Sequence, residues 1–76
     1  MPARKSAAAQ ATGEAIRSLR RERGVAQEAF ATRAGLDRSY MGAIERGEFN
    51  FTMDTLVKVA AGLGVRPSTV LRRAGL

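Results

Sequence analysis

Seventy-six residues are enough for one domain with a single core, close to the lower size limit of autonomous folding, and too few for two. With no Cys and no His, the chain has no disulfides, no thiolate or imidazole metal sites and no Ser-His or Cys-His nucleophile pairs, so no cofactor and no metal are expected. Thirteen basic residues against seven acidic ones leave a net charge of +6, an excess that predicts a polyanionic partner, either nucleic acid or an anionic membrane surface.

Residues 1–11 are small, polar and basic with nothing large to bury, and read as a disordered arm ahead of a folded unit over 12–76. The opening MPARKSAAAQA lacks the bulky apolar stretch of a signal peptide, and no uncharged apolar run approaches the ~20 residues of a membrane span, so the cytoplasm is the expected compartment. Over 13–23, Ile16 and Leu19 form a stripe that Arg20 and Arg23 continue, and Gly24 ends this first helix. A second short helix over 26–34 turns Phe30, Ala31 and Ala34 inward and stops at Gly35. Asp37 is a good N-cap for a third, in which Met41, Ile44 and Glu45 share one face before Gly47. Thr52 caps a fourth, whose Leu56, Val59, Ala60 and Leu63 follow the i, i+3, i+4, i+7 rule up to Gly64. Pro67 suits the first turn of a fifth, with Val70, Leu71 and Ala74 able to turn back to the core. The predicted fold class is all-α, five helices and no strand.

The segment QEAFATRA-GLD-RSYMGAIERG joins two short helices by a tight Gly-containing turn, the layout that lets a second helix lie in the DNA major groove. The longer string GVAQEAFATRAGLDRSYMGAIERGEFNFTMDTLVKVAAGLGV closely resembles the Cro and phage-repressor helix-turn-helix family. Within it, LDRSYMGAIERGEFN is similar to the small controller proteins of restriction-modification systems. The resemblance covers residues 13–71 and rests on joint agreement of spacing, turn Gly and the IERG element. It implies a five-helix lambda-repressor-like domain that regulates transcription as a homodimer on an inverted-repeat site in double-stranded DNA. Three departures from the family pattern involve four positions. Ala26 stands where Ser or Thr usually caps helix 2, Phe51 replaces the usual Pro before helix 4, and Gly42 and Ala43 occupy places where phage repressors often carry long polar side chains. Readout must then fall more heavily on the first turn of helix 3, or on DNA shape.

That first turn carries Arg38 and Ser39, positioned as base readers if helix 3 enters the groove and as ordinary exposed residues if it does not. Tyr40 and Ala43 complete the candidate base-contact set, Tyr40 having packing as an equal alternative. Gln27 opens helix 2, where amides and helix dipole face a phosphate, and the resemblance implies that this Gln contacts the DNA backbone. Arg46, Asn50 and Thr52 surround the following loop as further phosphate candidates, although capping already explains Thr52 and a turn explains Asn50. Arg20 and Glu45 each interrupt the apolar stripe of their own helix, and two buried opposite charges must pair or be very costly. The resemblance implies such a bridge between helices 1 and 3, which gives Glu45 a structural role. Arg4 and Lys5 of the arm are read as a solvated tail in preference to a groove contact. Met53, Val57, Leu71 and Leu76 are apolar positions left over once the core is filled, and mark the expected dimer surface.

Two other functions compete. An antitoxin of a toxin-antitoxin pair often uses the same fold but commonly adds a toxin-binding segment, and little follows helix 5 here. A general binder of RNA or membrane surfaces would need stacking aromatics or a cationic helix with a wide apolar face. No catalytic constellation is present, so an enzyme is not expected.

Overall fold

The structure is a computed structural model that describes residues 6–48 and 50–76; Arg4 and Lys5 lie outside the described residues. Among the described residues the elements are α1 (Ala7–Glu22), α2 (Gln27–Ala34), α3 (Arg38–Arg46), α4 (Met53–Leu63) and α5 (Pro67–Arg73), with no strand.

The first helix begins well before Thr12, so the expectation of disorder through Ala11 fails from Ala7 onward. Ser6 is the N-cap, its Oγ accepting a hydrogen bond from the Ala9 amide at 3.0 Å. The Ala-rich run behind it has the highest intrinsic helix propensity, and its small side chains let another helix approach closely. Gly13, read from the sequence as the helix start, instead sits mid-helix, where it costs about 1 kcal/mol relative to Ala. A Cβ there would lie 2.8 Å from the Glu45 carbonyl oxygen and closer still to that of Ile44, so the backbones of α1 and α3 cross in contact. The buried Thr12 hydroxyl is satisfied by donating to the Ala8 carbonyl at 2.7 Å.

The remaining elements start and stop for local reasons. Asp37 Oδ2 accepts from the Ser39 and Tyr40 amides at 2.9 and 3.2 Å, and Thr52 Oγ1 accepts from the Thr55 amide at 3.1 Å. Ala26 has the extended backbone of an N-cap but supplies no side-chain bond, which leaves the first amides of α2 uncapped. Gly47 is doubly constrained: its φ is +66°, and a Cβ would meet the backbone of Gln10 at the start of α1, 2.9 Å from its amide nitrogen.

One core joins all five helices: Ile16 and Leu19 of α1, Phe30, Ala31 and Ala34 of α2, Met41 and Ile44 of α3, Leu56, Val59, Ala60 and Leu63 of α4, and Val70 of α5. Leu71 and Ala74 are only half-buried. Arg23 closes α4, donating from Nε to the Leu63 carbonyl at 2.8 Å and from Nη1 to the Leu19 carbonyl at 3.0 Å. Arg73 ties α5 to α1 through Glu22 at 2.6 and 3.2 Å, and its guanidinium holds the Glu22 carboxyl below the usual carboxylate range.

Candidate nucleic-acid interface

The α2–α3 pair presents one polar concavity, lined by Gln27, Arg38, Ser39, Gly42 and Arg46. An adjoining concavity shares Gln27, Gly42 and Arg46 and adds Arg17 and Arg21 of α1. Five side chains capable of meeting an anion or a base edge, Arg17, Arg21, Arg38, Ser39 and Arg46, are exposed around this surface. The outward i, i+4 pair Arg17 and Arg21 was not singled out in the sequence, although its helical spacing was the signal that both point to one side.

Beneath the concavity lies a charged network. Arg20 Nε donates to Glu45 Oε2 at 2.7 Å and Arg20 Nη2 to Glu45 Oε1 at 3.0 Å, a bidentate pair between residues 8% and 5% exposed. Hydrogen bonding to Glu45 raises the Arg20 pKa above its ordinary value against the opposing effect of burial. Arg20 Nη1 also donates to the Val25 carbonyl at 2.8 Å, fixing the α1–α2 turn. Gln27 Nε2 completes the set, donating to Glu45 Oε1 at 3.0 Å. One carboxylate therefore anchors α1, the start of α2 and α3 together, and no buried side-chain polar atom among the described residues lacks a partner.

The candidate contact residues are not all disposed alike. Arg38 and Ser39 stand exposed on the first turn of α3, Arg38 lying 3.6 Å from Glu28 in a solvated ion pair. Tyr40 is half-buried against the core, where its ring packs. Ala43 requires a correction: at 7% exposed it has almost no surface to offer a base. Gln27 Nε2 gives one of its two N–H donors to Glu45, and the first amides of α2 have no side-chain cap. Arg46 is exposed and paired with Glu48. Asn50 Oδ1 accepts from Ser6 Oγ at 3.0 Å, and Thr52 Oγ1 is used in its cap while donating to Thr55 Oγ1 at 3.1 Å.

On another side, Met53, Val57 and Leu76 are 72%, 52% and 63% exposed. Met53 and Leu76 also border an apolar groove with Phe51, Leu56 and Leu71, so Phe51 both packs on the core and faces this groove. Among the described residues no group of three or more acidic side chains is arranged to hold a metal ion, and no helix is long and apolar enough to cross a membrane.

Two short helices joined at a left-handed Gly35, with a basic concavity on the second, define a helix-turn-helix domain. The chain belongs to the helix-turn-helix family of transcriptional regulators, whose pattern it matches over residues 16–70. It is 40% identical over 63 residues to control protein C.SmaI of Serratia marcescens, covering 83% of this chain and 75% of that protein. It is 39% identical over 59 residues to the immunity repressor protein of Bacillus phage phi105, covering 78% of this chain but only 41% of the repressor. The fold superposes on the restriction-modification controller protein C.AhdI from Aeromonas hydrophila with a TM-score of 0.82 and 37% identity, over 86% of this chain and 98% of that one.

Proposed function

We propose that this regulator binds double-stranded DNA as a homodimer on an inverted-repeat operator, with α3 in the major groove, and that it serves as a controller of the restriction-modification kind. The observation that carries the reading is the convergence of Arg38, Ser39, Gln27, Gly42 and Arg46 on one concavity, with Arg17 and Arg21 at its edge. Arg38 forms bidentate hydrogen bonds to a guanine edge, and Ser39 reads its neighbour. The α2 amides, Arg46, Arg17 and Arg21 hold phosphates, and Asn50 and Thr52 flank that track. Likeness to C.SmaI and C.AhdI supports the controller role. The exposed apolar residues Met53, Val57 and Leu76, with Leu71 in the adjoining groove, form the two-fold contact. A regulator of this kind works with the genome, in the cytoplasm.

Selection from a pool of randomised duplexes, followed by sedimentation of the winning complex, tests this. Enrichment of a two-fold symmetric sequence carrying two chains, with half-sites about one helical turn apart, is the expected result. An unenriched pool, or one chain on an asymmetric site, contradicts it.

A further inference from the structure

Arg46 has the exposure of a DNA-contacting residue yet is already occupied. Its Nε and Nη2 face the two oxygens of Glu48, at 2.5 and 3.4 Å, in the side-on fork that a phosphate would otherwise occupy. The pairing is built into the fold. Left-handed Gly47 reverses the chain after α3, the Gly47 amide donates to the Ile44 carbonyl at 3.0 Å and the Glu48 amide to the Ala43 carbonyl at 3.1 Å. This cap returns Glu48 to the side of Arg46. The guanidinium lies across the recognition helix, with Nη1 3.0 Å from the position of a Cβ on Gly42, inside the same concavity as Arg38 and Ser39.

We propose that Glu48 is an internal stand-in for phosphate: it holds the Arg46 guanidinium in the free protein, must be displaced when DNA binds, and so sets the affinity of the interface without setting its sequence preference. The proposal rests on the DNA-binding reading of this face. A phosphate is present on every duplex, so the displacement cost is shared by cognate and non-cognate sites, whereas base contacts differ between them.

The test is a fluorescence-anisotropy titration of E48Q on the selected duplex and on a scrambled one, across a salt series. Glu22→Gln is the control: it also removes one negative charge and also releases an arginine, Arg73, but at the α1–α5 contact. Relative to E22Q, E48Q is expected to bind both duplexes about two- to five-fold tighter, the range of one exposed ion pair, with the ratio between duplexes unchanged. The log–log salt slope is expected to steepen by up to about one. In an Arg46→Gln background the gain from E48Q should disappear. A gain no larger than that of E22Q, weaker binding, or a gain that persists without Arg46 overturns the proposal while leaving DNA binding by this face intact. If R46Q alone leaves affinity unchanged, Arg46 is outside the interface, and its phosphate role falls together with the proposal.

Discussion

Glu45 is where the fold and the candidate interface meet, because one carboxylate receives Arg20 of α1 and Gln27 of α2 from within α3. Removing it strands a guanidinium that is 8% exposed, and an uncompensated charge at such a site costs far more than a surface pair contributes. Glu45→Ala is therefore expected to lower stability by about 3–5 kcal/mol in urea or thermal unfolding. An unchanged melting temperature would contradict it. This pair was legible in the sequence because both residues break an apolar stripe, and an ion at a core position demands a partner. The attachment of Gln27 was not legible, since an uncharged amide beside a helix start carries no register that marks it as half-buried. Ala43 misled for a related reason: a small apolar side chain fits a groove-facing and a buried position equally well, and here it is buried.

At the scale of the element, the turns and caps were the most readable features. Asp37 and Thr52 cap the helices that follow them, and Gly35, Gly47 and Gly64 stop the helices before them in left-handed conformations. The start of α1 was the least readable, because an Ala-rich stretch has no hydrophobic periodicity, and the propensity signal behind Ser6 was outweighed by the absence of anything large to bury. Gly13 separates the two kinds of argument. Intrinsic propensity alone would have Gly13→Ala stabilise α1 by about 1 kcal/mol. The crossing of α1 over α3 opposes this, since a Cβ 2.8 Å from the Glu45 carbonyl oxygen forces a backbone shift of the kind that costs ~1–3 kcal/mol or more. Backbone on backbone leaves no flexible side chain to yield, so the clash wins and Gly13→Ala is expected to lower the melting temperature. A rise would mean that the two helices can separate freely.

At the scale of the whole molecule, two surfaces divide the work. The basic concavity over α2, α3 and α1 is the face proposed for DNA, and the apolar residues Met53, Val57 and Leu76 lie away from it, on α4 and after α5. Charge alone left nucleic acid and an anionic membrane surface both open; the helix-turn-helix spacing of turn and caps, with the family resemblance, pointed to DNA. Arg17 and Arg21 of α1 share one helix side by their i, i+4 spacing, but that spacing does not say that α3 lies beside them, so their place at the concavity was not legible. The central claim is that the first turn of α3 reads bases while the surrounding groups hold phosphates, and binding of Arg38→Ala to the selected duplex and to a scrambled one tests it most directly. A bidentate contact to guanine exists only on the selected site, so its loss should cost ~1–3 kcal/mol there, flatten the preference at one position per half-site, and leave the scrambled duplex bound nearly as before. An equal loss on both duplexes would place Arg38 among the phosphate contacts and contradict the assignment.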